Sequence, residues 1–208
     1  MMAERRVLAA LALLLALPGP GGAAAETWTV ASLRWPPYAG SDLAREGAGI
    51  HVLRRALARI DVELEVVYRP GRRARAVARQ RGEVVGYYPA WPSEVAQGFF
   101  ASTPVFTSPL GFAELATHPI AWTRLDDLAG KRIGMVRSYR YPERLTELAA
   151  RGTIRPVRVR SDLAGLRFLK RGRIDALAID AHVMHYHLAT AAALAEAKDR
   201  IVLDARIL

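Results

Sequence analysis

Hydrophobic positions along the chain switch repeatedly between a period of two and a period near 3.6. Trp28-Thr29-Val30-Ala31-Ser32-Leu33 alternates like a strand, and Pro36-Pro37 ends it and stiffens the loop that follows. Ile50, Leu53, Leu57 and Ile60 then share one face of a helix. Val62 to Tyr68 alternates again, as a strand. Gly71 to Arg81 predicts an Arg-rich helix with Ala74, Val77 and Ala78 inward, closed by Gly82. Glu83 to Tyr88 is the next strand, ending at Pro89-Ala90-Trp91-Pro92. The order is β-α-β-α-β.

The same order returns further on. Lys131 to Val136 reads as a strand, followed by the polar-aromatic loop Arg137-Ser138-Tyr139-Arg140-Tyr141. Pro142 to Ala150 is a helix with proline at its first turn, and Thr153 to Val159 is a strand. Leu163, Leu166 and Leu169 lie on one helical face, Lys170-Arg171 suit a helix C-terminus, and Gly172 stands where that helix stops. Ile174 to Ile179 is an apolar run, as in a strand covered on both faces, and it ends in Asp180. Arg81-Gly82 and Arg171-Gly172 sit at matching junctions of the two halves. One supersecondary plan used twice implies two parallel sheets and two lobes. The stretch Phe99 to Leu115 is an extended crossing between them. An Ala-rich helix from Ala181 to Lys198 precedes the strand Ile201 to Ala205, which is expected to return to the first lobe as a second hinge crossing. The expected division is residues 26–112 with 205–208 for lobe one and 113–204 for lobe two.

Residues 1–25 differ from the rest. Arg5 and Arg6 precede an apolar run from Val7 to Leu17, and small residues follow up to Ala25, the order of a secretory signal peptide. The run is short for a bilayer span. The 208 residues contain no cysteine, which excludes disulfides, thiol catalysis and a lipid-modified N-terminal cysteine. A soluble product in the periplasm is expected. At 51% hydrophobic and 24% charged the composition is that of a globular α/β chain. The net charge is +10, but arginine is scattered rather than clustered, so nucleic acid is not an expected partner.

Open α/β sheets bind ligands at the C-terminal ends of their strands, and Asp180 stands at such an end. It reads equally as the N-cap of the next helix. Tyr38, Tyr88, Trp91 and Tyr139 read either as cleft lining or as packing, and Ser138 either as a ligand contact or as a helix cap. His182 and His185, a turn apart beside Asp180, read as surface residues rather than metal ligands, and no metal or cofactor is expected. No nucleophile sits in a G-x-S-x-G context, and no paired carboxylates share a recognisable spacing.

In order and spacing, several segments resemble the family 3 solute-binding proteins of bacterial ABC transporters, the polar amino-acid type. They are Pro36-Pro37-Tyr38, Gly49-Ile50, Phe100-Ala101-Ser102-Thr103-Pro104, Asp127-Leu128-Ala129-Gly130-Lys131-Arg132-Ile133-Gly134, and Gly172-Arg173-Ile174-Asp175-Ala176 with Asp180. The resemblance covers nearly all of the chain after the leader, from Trp28 to about Asp204. It implies a two-lobed, type II periplasmic-binding-protein fold. It further implies a monomer that closes on a small polar solute and delivers it to an inner-membrane permease. By the same resemblance Tyr38, with Trp35 nearby, packs on the ligand, Ser138 and Tyr139 meet its carboxylate, and Asp180 takes its amine.

Two departures qualify this. Val95 and Ala90 stand where the family has its carboxylate-clamping Arg and Thr, and a bidentate guanidinium is hard to replace. Arg34, Arg137 and Arg140 are the candidate substitutes. The family also carries further helices after the second crossing, so by this resemblance the chain is expected to be truncated or unusually short. Two other roles remain open on the same fold: a periplasmic sensor module, and a dehydratase-like enzyme acting on a small cyclic acid with Asp180 as general acid.

Overall fold

The computed structural model describes residues 25–80, 82–91, 95 and 98–208. Residues 1–24 of the expected leader, Arg81 of the first repeated junction and Pro92 lie outside the described residues. No described helix is long and apolar enough to cross a membrane.

The first lobe is built from β1 (Glu26–Ser32), α1 (Ala48–Leu57), β2 (Val62–Tyr68), α2 (Gly71–Arg79) and β3 (Val84–Tyr88). Its strands are parallel in the order β2-β1-β3. Alternation places the residues as expected: Val62 and Leu64 are buried while Glu63 and Glu65 face out. Val30, Ile50, Leu57, Val62, Leu64 and Tyr88 form the lobe's own core.

The second lobe repeats the plan with β5 (Arg132–Val136), α3 (Glu143–Ala150), β6 (Arg155–Val159), α4 (Asp162–Lys170) and β7 (Ala176–Asp180), after β4 (Leu110–Leu115). The order β6-β5-β7 mirrors β2-β1-β3, so the duplicated pattern in the sequence is a duplicated topology. All five residues of β7 are buried, because helices cover the sheet on that strand. Two glycines make the close packing possible. A Cβ on Gly165 of α4 would meet Leu177 Cδ1 at 2.5 Å, and one on Gly134 of β5 would meet Ile174 Cδ1 at 2.6 Å. Ser161 caps α4 by accepting from the Ala164 N–H at 3.2 Å, and Gly172 follows that helix with φ at 63°.

Three expectations need correction. The crossing is shorter than Phe99–Leu115, because β4 at its end lies inside the second sheet, antiparallel to β7 and to β8 (Ile201–Ile207). Residues 110–112 therefore belong with lobe two. The final strand does not return Ala205–Leu208 to the first lobe. It completes the five-stranded order β6-β5-β7-β4-β8, held there by Trp122, whose indole donates to Asp204 at 3.2 Å while the Arg206 guanidinium lies over its ring. The Ala-rich stretch is also not one helix. It divides into α5 (Ala181–Thr190) and a 3-10 segment at Ala192–Ala197, because Ala191 is extended and Leu194 and Ala197 turn into the core.

The lobes are in contact. Trp35 and Tyr38, from the loop after β1, pack into a cluster otherwise made by lobe two, with Val136, Val159, Ile179 and Val183 among its members.

Candidate functional site

The C-terminal ends of β1, β3, β5 and β7 converge on one cavity between the lobes. Leu33 and Trp35 reach it from β1, Pro89 and Trp91 from β3, Ser138 to Tyr141 from β5, and Ala178 to Asp180 from β7. Arg75 of α2 and Leu110 of β4 complete its wall. This is the strand-end position at which open α/β sheets bind ligands. The cavity measures about 50 Å³. A larger groove of about 990 Å³ opens beyond it and shares Tyr139, Arg140 and Tyr141 with it.

Of the eight candidate residues, Trp35, Trp91, Ser138, Tyr139 and Asp180 line the cavity. Trp35 meets Trp91 and Tyr139 edge-on, with ring centroids 6.1 and 6.5 Å apart. Tyr38 lies behind that wall. Its ring stacks on Phe106 at 4.2 Å, and its hydroxyl donates to both Asp180 oxygens at 3.3 and 3.2 Å. Tyr88 sits in the lobe-one core, where a Cβ on Gly49 would land on its hydroxyl. Arg137 is exposed and lines the outer groove instead.

Asp180 is 3% exposed and fully engaged by the protein itself. It caps α5 by accepting from the Val183 N–H at 2.9 Å, and it also accepts from Ser108 and from Tyr38. Asp180 is thus the N-cap of α5 and also stands on the cleft wall. Ser138 is not the cap of α3, since Pro142 occupies that position. Burial, then the neighbouring Asp180 charge, pushes the Tyr38 hydroxyl far above its ordinary range.

Sequence reasoning missed Asp162 and Arg75. Asp162 is 4% exposed and accepts from the Tyr139 hydroxyl at 2.6 Å, while its other oxygen finds no partner among the described residues. Burial, with the Asp180 charge as a lesser cause, raises its pKa to about 6 against the lowering effect of the Tyr139 hydrogen bond. Asp162 directly follows Ser161, the N-cap of α4. Arg75 is one of five arginines in the stretch Gly71 to Arg81, and spacing alone does not single it out. In the structure its guanidinium crosses from lobe one and donates to the Ser138 carbonyl at 3.4 Å. Among the other candidate guanidinium groups, Arg140 lines the cavity, whereas Arg34 forks onto Asp42 at 3.0 and 2.7 Å on the exposed surface. Ala90 is exposed and Val95 half-buried. Among the described residues no group of three or more His, Asp or Glu is placed to hold a metal ion, and His182 and His185 are exposed.

The structure matches the ligand-binding core of GluR0 from Nostoc punctiforme, solved with L-glutamate. The TM-score is 0.67 at 22% identity, over 87% of this chain and 80% of that one. It matches a glycine-to-alanine mutant of arginine-bound ArgBP from T. maritima with a TM-score of 0.66 at 16% identity, over 88% and 83%. An arginine transport system periplasmic binding protein from Legionella pneumophila gives 0.65 at 17% identity, over 88% and 81%. The chain has the two-lobed fold of these binding proteins. No protein-family model matches the sequence, and no curated protein matches it. The fold implied by the sequence resemblance is thus the fold observed.

Proposed function

We propose that this protein is an exported solute-binding protein that captures a small polar solute between its lobes for ABC-type uptake. The observation that carries the reading is the cavity at the convergent strand ends, walled by side chains of both lobes. A ligand that touches both walls stabilises the closed arrangement over the open one, and that difference drives closure. The leader-like residues 1–25 support export, and the solved structures of the same fold include a periplasmic binding protein of a transport system. The protein acts by binding, with no catalytic step, as a monomer that docks on an inner-membrane permease.

The test is a thermal-shift screen of the purified protein against amino acids, polyamines, sugars and small organic acids. A true ligand raises the unfolding midpoint, by about 2.7 kcal/mol of stabilisation at a hundredfold excess over its Kd. Cell fractionation tests the rest of the reading: the processed chain belongs in the periplasmic fraction. A cooperative melt that no solute class shifts would sink the binding reading.

A further inference from the structure

The polar groups around the cleft are unevenly divided between donors and acceptors. Trp35 lines the cavity, is only 6% exposed, and its Nε1–H has no acceptor among the described residues. A buried donor beside a cavity is satisfied by whatever acceptor enters. Arg75 from lobe one and Arg140 from lobe two line the same cavity, and Arg72, Arg137 and Arg158 continue the guanidinium lining through the outer groove. Guanidinium stays charged and forks onto carboxylates. On the acceptor side, the carboxylate that lines the cavity is already occupied. Among the described residues Asp180 is the one carboxylate on the inner wall, and its oxygens take Tyr38, Ser108 and the Val183 N–H. The groove's Glu147 accepts from Arg144 at 3.0 Å, which leaves Glu143 as its other negative charge.

Resting on the solute-binding reading, we propose that the solute is a small organic acid whose carboxylate has no adjacent amine. At about 50 Å³ the inner cavity holds the equivalent of roughly three to five water-sized spheres, enough for a carboxylate head and little more. The head accepts from Trp35 Nε1 and the arginines. The apolar body leaves past the Trp91 and Tyr139 rings into the groove. An ammonium would have to displace Tyr38 or Ser108 from Asp180, whereas a carboxylate displaces nothing from it. The positions Ala90 and Val95 fit the same account: the anion is met by arginines from other elements.

The experiment is isothermal titration with one body and three heads: 3-phenylpropanoate, phenylalanine and 2-phenylethylamine, followed by lactate, alanine and ethylamine. The acids are expected to bind, more weakly as salt rises, with the amines and amino acids at least tenfold weaker. Trp35→Phe keeps an aromatic ring of smaller size and removes the N–H, and is expected to weaken the acids about tenfold. Arg75→Gln and Arg140→Gln, on less buried side chains, are expected to do the same. Equal or tighter binding of the amine or amino acid overturns the proposal and leaves the solute-binding reading standing. Acid affinity unmoved by all three substitutions also overturns it. If none of the six compounds binds, the organic-acid proposal fails, and the wider screen alone decides whether the protein binds solutes.

Discussion

The Tyr38 hydroxyl and the Asp180 carboxylate join the two lobes directly, at 3.2 and 3.3 Å across the cleft. The Tyr38 ring also stacks on Phe106 of the crossing segment. Tyr38→Phe keeps the stack and removes the bond. Hydrogen bonds to a charged partner contribute about 1.5–3 kcal/mol, and Asp180 retains two other donors, so the expected loss is about 1–2 kcal/mol in urea unfolding. Faster amide exchange at residues 33–38 and 178–183 should accompany it, as the lobes separate more often. Unchanged exchange there would show that the bond does not hold the lobes together.

Asp180 carries more than that one bond, and its substitutions should separate. Asparagine keeps an oxygen for the Val183 N–H and so keeps the α5 cap, whereas alanine removes the cap and leaves the buried Tyr38 and half-buried Ser108 hydroxyls without their acceptor. Asp180→Ala is expected to cost about 2–4 kcal/mol, and Asp180→Asn about half as much. Equal losses in denaturant unfolding would mean that charge, not capping, is what Asp180 supplies.

Gly165 tests the packing of α4 on β7. Alanine is the better helix former by about 1 kcal/mol, yet its Cβ would sit 2.5 Å from the Cδ1 of the fully buried Leu177. Overpacking should win, with a net loss of about 1–3 kcal/mol for Gly165→Ala. Gly86, with nothing near its Cβ direction, is the control, and Gly86→Ala should change stability by less than about 0.5 kcal/mol. Comparable thermal midpoints for the two variants would contradict the close approach seen here.

Periodicity carried much of the fold. The alternation of Val62–Tyr68, the Leu163-Leu166-Leu169 stripe and the positive-φ Gly172 are local signals, and the structure places a strand, a helix and a helix stop there. What stayed hidden depended on distant partners. Leu110–Leu115 is buried between β7 and β8 and lacks the polar face that marks a half-exposed strand, so after a Ser/Thr/Pro stretch it reads as linker. Nothing in Ile201–Ala205 says which sheet it joins, since Trp122, its anchor, is far off in sequence. The candidate site behaves the same way. Composition offers Trp35, Tyr38, Tyr88 and Trp91 as equivalent aromatics, and only tertiary placement separates the two tryptophans on the cavity wall from the two tyrosines behind it.

The buried titrating groups set a pH dependence with two opposed parts. Asp162 is held at about 6 instead of 3.8, so the native state binds its proton more tightly than the unfolded chain does. Its ionisation therefore costs stability as pH rises from about 4 to 6, and the cost, on the order of 3 kcal/mol, is fully present above that window. His187 runs the other way. Burial, with the Arg34 charge second, lowers it from 6.5 to about 4, so the unfolded chain binds the proton more tightly and stability is lost as pH falls through 6.5 towards 4. The two slopes oppose each other between pH 4 and 6, and the wild-type protein should show a nearly flat stability profile there. Asp162→Asn removes the upward cost while keeping an acceptor for Tyr139, so it should be more stable than wild type at pH 7.5 and lose stability steeply on acidification. His187→Gln should do the reverse, gaining at pH 4.5 relative to pH 7.5. Urea unfolding midpoints measured from pH 4 to 8 decide it: parallel profiles for the three proteins would mean that neither group titrates in the native state as its burial requires.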